Sequence, residues 1–531
     1  MRKKQHNCTM RLMCFCGALL LLLVFPAGCQ GGNILVIPIE GSHWVNMDIL
    51  IRELHSQGHN VTIVCPRKTW YIKNNASYYH TVTIPVEKTL DKDFITSMIF
   101  EIMKFKRGSL PLTTLLNLTV RMFEMFLDAH NVVAELLKDD DLMRRLKDSK
   151  FDLLLTDPCG GGGAIVAKYL NLPLVYNVRW LIATEGHFAI APSPLSYIPI
   201  TGTGYTNKMT FFQRFKNLIA FWIGYTQHNL VIKYIYQKIC DKYLGPDNDM
   251  HHLLQSADLW LMRVDFVFEF PRPTMPNVIY IGGFQCQPAK PLPDHLEEFM
   301  QSSGDHGVIL MSLGTFVSKL PVDLAEEIAT AFAKLPQKVI WRYKGAKPLT
   351  LGNNTLLVDW MPQNDLLGHP KMKLFVAHGG TNGVQEAMYH GVPVVGIPLF
   401  FDQYDNLVRL SERGAAIILE FSSLSKDNFV EAMQEVLTNS SYKKNIQRLS
   451  RLHRDQPIAP LDKAIFWIDF VIRHKGAAHL RTESYKMPWY TYYSVDVYLF
   501  LAGVVVTGLI MFWITIKCLC SALCRKKVKR E

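Results

Sequence analysis

The sequence predicts an α/β protein of two lobes, each a buried parallel sheet wound with helices, facing one another across a cleft and followed by one membrane-spanning helix. Three observations carry this expectation. The chain has 531 residues, too many for a single core. Short runs rich in Val, Ile and Leu, bounded by Gly and Pro, alternate with helix-period stretches in two separate series. Residues 495–517 are almost entirely apolar, long enough to cross a bilayer once, and lead into basic residues.

Taken in order, residues 1–29 read as a cleavable secretory signal, with a basic start, a short apolar middle and small residues near Ala27 and Cys29. The first series fills residues 30–285. "NILVIPI", "NVTIVCP", "FDLLLTD" and "LPLVYNV" are strands, and "NMDILIRELHSQGH" and "AIVAKYLNL" are helices. Its middle, from about 180 to 260, reads as aromatic and irregular. "GGFQCQPAKPLPDHLEEF" is the linker, proline-rich and polar. The second series, residues 286–490, places strands at "HGVILMSLG", "KVIWRYKG", "NTLLVDWMP", "KLFVAHGG", "VPVVGIPL" and "AAIILE", with a helix at "AEEIATAFAKL". Both lobes are therefore expected to be Rossmann-like. A basic tail, 518–531, ends the chain; the positive-inside rule puts it in the cytosol and the body in the lumen. Lys527 and Lys529 resemble an endoplasmic-reticulum retrieval signal, or serve only as stop-transfer charge. Sequons at Asn75, Asn117, Asn353 and Asn439 suit a luminal body.

The formal charge of +11 does not indicate nucleic acid. The signal holds +4 and residues 517–531 hold +5, which leaves +2 for everything between. Cysteine says little about chemistry: Cys65, Cys159, Cys240 and Cys286 remain in the body, without metal-ligand spacing.

The stretch "HGGTNGVQEAMYHGVPVVGIPLFFDQYDN", 378–406, carries the chemistry. Glycines where a strand turns into a helix let a ligand approach the backbone, and the helix start favours an anion, so a phosphate is expected there. Close packing alone also accounts for such glycines. The neighbours point to a nucleotide sugar. Trp360 and Gln363 offer an aromatic face and an amide for a base. Glu386 can accept from a ribose diol, and Asp402 and Gln403 suit sugar hydroxyls.

From Trp360 to Gln403 the run resembles the signature of the UDP-glycosyltransferases. "IPIEGSHW", "FDLLLTDP", "FEFPRPTMPN" and "RDQPIAPLDKAIFWIDFVIRHKGAAHL" look like the vertebrate UDP-glucuronosyltransferases in particular. The resemblance implies a GT-B fold with the donor in the carboxy-terminal lobe and the acceptor in the amino-terminal lobe. It implies Trp360 and Gln363 on the uracil and Glu386 on the ribose. Ser312, His378, Asn382 and Gly383 then surround the diphosphate, with Asp402 and Gln403 on the transferred sugar. Arg263 matches an arginine that reaches the donor's charged groups; the alternative for it is a surface ion pair.

For a base, His43 follows the first strand and Asp157 ends a later one, both at the carboxyl edge where doubly wound folds keep their sites. An imidazole can take the acceptor's proton, and a carboxylate can fix its tautomer. A lone histidine on a turn is more often structural; the pairing with Asp157 and the family match favour catalysis. The implied reaction is an inverting displacement needing no metal and no cofactor beyond the co-substrate UDP-glucuronic acid. Another UDP-sugar donor stays open as an alternative, as does a non-catalytic lipophile binder. The apolar stretch from about 94 to 235 implies small lipophilic acceptors. Self-association, or pairing with a related chain, stays open. "CGGGGA", 159–164, lacks the third glycine of a dinucleotide fingerprint and is assigned to close helix packing, and "DND", 247–249, to a loop.

Overall fold

In a computed structural model, the structure describes residues 31–528 apart from 75, 87–91, 109–110, 112, 161, 180–190 and 318. The signal segment 1–29, the sequon at Asn75 and Lys529 lie outside the described residues. The chain divides into two compact units between Leu480 and Arg481.

Within the larger unit, the first sheet has seven strands: β1 (Asn33–Ile37), β2 (Asn60–Pro66), β3 (His80–Ile84), β4 (Leu153–Thr156), β5 (Leu174–Val178), β6 (Leu259–Met262) and β7 (Val278–Tyr280). Their order is β3-β2-β1-β4-β5-β6-β7, and every pairing is parallel. Parallel strands need helical crossovers on both faces, so the central ones must be apolar all round. The residues of β4 and β5 are buried throughout. The chain leaves β1 toward β2 on one side and comes back to β4 on the other. Such a reversal opens a crevice at the carboxyl ends of the two strands, where doubly wound folds bind ligands.

The second sheet repeats the plan with β8 (Val308–Ser312), β9 (Lys338–Arg342), β10 (Thr355–Val358), β11 (Met372–Ala377), β12 (Val394–Gly396) and β13 (Ala416–Ile418). The order β10-β9-β8-β11-β12-β13, again all parallel, puts its reversal between β8 and β11. All ten expected strands form, and β3, β6 and β7 join them.

Seven helices matter below: α1 (Ser42–Ser56), α2 (Gly163–Leu170), α3 (Phe211–Val231), α4 (Thr381–His390), α5 (Gln403–Glu412), α6 (Pro460–His474) and α7 (Val495–Val528). The middle of the chain is not irregular as expected, because α3 runs through it. A capping box starts this helix: Thr210 Oγ1 accepts from Gln213 N–H, and Gln213 Oε1 from Thr210 N–H. Its outward face carries Phe211, Phe215, Leu218 and Trp222, while Asn217 and His228 are buried, so its pattern is inverted. The glycine run does pack closely. A Cβ on Gly163, in α2, would fall 2.5 Å from Thr156 Cγ2, and one on Gly162 would fall 2.6 Å from Val133. "DND" is loop up to Asp249, which caps a short helix by accepting from His252 N–H at 3.0 Å.

After the second sheet the chain returns to the first. α6 buries Ala464, Ile465, Ile468 and Val471 in the core formed by β1, β2 and the Trp44, Met47 and Leu50 face of α1. Asp469 comes within 3.0 Å of His59 Nε2. Described by itself, the smaller unit contains α7, in which Val495–Leu523 is long and apolar enough to cross a membrane.

Candidate active site

The reversal point of the first sheet assembles a histidine–carboxylate pair. Ile37 of β1 lies beside Thr156 of β4, so the segments that follow both strands emerge side by side. One turns through Gly41 into α1 and delivers His43; the other delivers Asp157. Gly41 adopts φ +77°, and a Cβ there would sit 3.1 Å from the Phe316 ring and 3.3 Å from Trp70. His43 Nδ1 is 2.6 Å from Asp157 Oδ2, and Asp157 Oδ1 accepts from the Cys159 N–H at 2.9 Å. Asp157 is 3% exposed. An ionised carboxylate only accepts hydrogen bonds, so Nδ1 carries the hydrogen and Nε2 is the basic nitrogen.

The reversal point of the second sheet presents an uncapped helix start. Ala377 of β11 lies beside Ser312 of β8, and His378, Gly379 and Gly380 lead from β11 into α4. No side chain caps this helix, so its first N–H groups face the crevice with the positive end of the helix dipole. The glycines are sterically required. Gly379 has φ +88°, and a Cβ on it would fall 2.4 Å from the Gln403 carbonyl; one on Gly380 would fall 2.5 Å from His378 Nε2. Burial pushes His378 down to about 4; Asp402 opposes this, and Arg179 adds to it. The ring is therefore neutral at physiological pH and can donate to an oxyanion without being an acid.

Trp360 follows β10 and is 72% exposed, a flat ring open to solvent. Gln363 Nε2 donates to Glu386 Oε2 at 2.6 Å. Burial pushes the Glu386 carboxyl up to about 7, against the pull of Gln363. Asp402 accepts from Thr381 Oγ1 at 3.0 Å and from Asn406 Nδ2 at 2.7 Å. Gln403 Oε1 accepts from the N–H groups of Leu399 and Phe400, which fixes the amide and leaves its NH₂ as the donor end. A Cβ on Gly383 would meet Phe375 at 3.2 Å and Gln363 at 3.4 Å, so this glycine lets the Phe375 ring of β11 and the Gln363 amide lie against the helix.

The two centres meet across the crevice. Arg263, just past β6, is 1% exposed, which removes the surface ion-pair alternative; its Nη2 donates to Asn382 Oδ1 at 3.0 Å. Burial pushes its guanidinium well down from its ordinary range, and neighbouring Arg179 adds to that. Sequence reasoning missed Arg179, which follows β5, donates to the Ser42 hydroxyl and lies in the field of Asp402 and Asp157. The only signal was a lone charge just past the strand "LVYNV". It also missed Asp405, which accepts from Gly202 N–H at 2.6 Å and Gly204 N–H at 2.9 Å, and so ties a first-lobe loop to α5. The apolar stretch from 94 to 235 is not all pocket wall, because Phe211, Phe215 and Trp222 face outward.

The chain is similar to known proteins over most of its length. The family model for "UDP-glucoronosyl and UDP-glucosyl transferase" matches residues 32–531. The human UDP-glucuronosyltransferase 2A2 is 40% identical over 519 residues, covering 94% of this chain and 95% of that protein. The rabbit UDP-glucuronosyltransferase 2C1 is 40% identical over 479 residues, covering 88% and 94%. Among solved structures, the kitacinnamycin glycosyltransferase superposes with a TM-score of 0.57 at 17% identity, over 83% of this chain and 99% of that one. The spinosyn forosaminyltransferase does so with a TM-score of 0.57 at 18% identity, over the same shares. These two establish the GT-B fold, and the matched model and relatives establish the kinship: the chain belongs to the UDP-glucuronosyl and UDP-glucosyl transferase family.

Proposed function

We propose that the protein transfers glucuronic acid from UDP-glucuronate to a hydroxyl of small lipophilic acceptors, giving β-glucuronides and UDP. The observation that carries this reading is the His43–Asp157 pair, at 2.6 Å, set across one crevice from the uncapped start of α4. The acceptor oxygen gives its proton to His43 Nε2 as its electron pair forms the bond to the anomeric carbon. The bond from that carbon to the diphosphate oxygen breaks, and the configuration inverts. Asp157 stabilises the imidazolium. The departing charge falls on the N–H groups of α4 with Ser312, His378 and Asn382, donors that need no reorganisation as it develops. Trp360 and Gln363 hold the uracil, Glu386 the ribose, and Asp402 and Gln403 the sugar. No metal enters this scheme.

In this reading residues 30–285 are the acceptor lobe and 286–490 the donor lobe, with α6 packed back on the former. The segment 495–517 anchors the chain in the endoplasmic-reticulum membrane with the body luminal and the tail, 518–531, cytosolic. A donor panel tests the reading: UDP-glucuronic acid, UDP-glucose, UDP-xylose and UDP-N-acetylglucosamine against one phenol. The expected outcome is highest kcat/KM for UDP-glucuronic acid. A higher value for UDP-glucose would overturn the donor assignment.

A further inference from the structure

We infer that Asn46 is a positioning residue that fixes the polarity of Asn382 and thereby ties the helix bearing His43 to the diphosphate end of the donor site. This rests on the donor site proposed above. Asn46 lies on α1, three residues after His43, and is 0% exposed. Its Nδ2 donates to the Ser42 carbonyl at 2.9 Å and to Asn382 Oδ1 at 3.1 Å. Asn382 Oδ1 accepts a second bond from Arg263 Nη2 at 3.0 Å.

The direction of this chain is forced at both ends. A guanidinium only donates, so the Asn382 atom facing Arg263 is the carbonyl oxygen. A backbone carbonyl only accepts, so the Asn46 atom facing Ser42 is the NH₂. Neither amide can flip without placing donor against donor or acceptor against acceptor. Both lone pairs of Asn382 Oδ1 are then used, and its NH₂ is the end left for an anion at the start of α4. Two residues from the first sheet, on α1 and after β6, thus set a second-sheet side chain to donate rather than accept. Arg263 acts through Asn382 in the same way.

Asn46 Oδ1 has no hydrogen-bond partner among the described residues. Asn46→Leu, which removes both donated bonds, should bind UDP less well.

The test is UDP binding by calorimetry on the detergent-solubilised full chain, with kinetics alongside. Losing one bond to an oriented donor predicts about a five- to tenfold rise in UDP Kd for Asn46→Ala. The KM for the phenol and the pH profile of kcat should stay put. Asn46→Asp, which keeps shape and offers only acceptors, sets carboxylate oxygens against the Ser42 carbonyl and against the Asn382 Oδ1 that Arg263 still holds, and the repulsion should displace Asn382 and weaken UDP binding by more than about tenfold. The double variant Asn46→Ala, Asn382→Ala should match Asn382→Ala alone within about twofold. If Asn46→Ala does not fold, Asn46→Asp decides. Unchanged UDP affinity in these variants, or fully additive losses in the double variant, would overturn the inference and leave the proposed function standing. An unmodified chain that binds no UDP would overturn both.

Discussion

Replacing Asp157 by Asn changes one oxygen into an NH₂ and should nearly stop the reaction. The Cys159 N–H, a donor at 2.9 Å, holds the carbonyl end of the new amide, so the NH₂ faces His43 Nδ1. Nδ1 must then accept, which moves the imidazole hydrogen to Nε2, where the acceptor's proton has to go. The base is in the wrong tautomer, and the imidazolium has lost its counter-charge. General-base catalysis is worth about 10²–10⁴ in rate, and the same exchange in a serine protease triad costs about 10⁴. A fall in kcat of about 10³–10⁴ is therefore expected, equivalent to ~4–5.5 kcal/mol of barrier. KM for UDP-glucuronate should change less than about twofold, since Asp157 belongs to the other lobe. The assay is glucuronide formation in membrane preparations with an aliphatic alcohol and a series of phenols of rising acidity. An acceptor that is already ionised needs no base, so the loss should shrink along that series. An Asp157→Asn enzyme keeping more than a tenth of its kcat with the alcohol would refute the reasoning. So would an equal loss across all phenols.

Trp360→Ala should raise KM for the UDP-sugar by about tenfold through lost stacking, with melting unchanged because the ring is exposed; initial rates and a thermal scan check both. Glu386 is held up to about 7 in the fold. Its contribution to stability is full below the ordinary carboxyl range near 4.5 and is lost as pH rises toward 7. Glu386→Gln should therefore melt higher than the unmodified chain at pH 7.5 but not at pH 4.5, while binding UDP less well; thermal scans at the two pH values measure it. Ile468→Ala on α6 removes a fully buried side chain from the first-sheet core. It should destabilise by about 2–4 kcal/mol and leave kcat per folded molecule unchanged, as read by denaturant titration with activity.

Much of this molecule is legible in its residues because parallel strands announce themselves. "FDLLLTD" and "KLFVAHGG" are apolar on both faces and end in Asp or Gly, which gives the strand, its burial and its functional edge together. The glycines before α4 were likewise readable, because the turn from strand to helix constrains Gly379 and Gly380 through the backbone. What was missed depends on partners distant in sequence. Arg179 and Asn46 make sense only beside Asp402 and Asn382, more than two hundred residues away. α6 shows an apolar stripe, which says that it buries a face but not against which sheet. β3, HTVTI, is half polar because it is an edge strand, and so lacks the signal of its buried neighbours. α3 hid for the opposite reason: its apolar side faces outward, so the stripe does not mark a core.

In the proposed reaction His43 acts on the acceptor while α4 holds the departing diphosphate, and His43→Ala separates those roles. UDP binding and glucuronide formation should be measured on the same preparation. The expected result is UDP affinity within about twofold of the unmodified chain and a turnover reduced by at least about 10³ with alcohol acceptors. Near-normal turnover, or loss of UDP binding in step with activity, would contradict it.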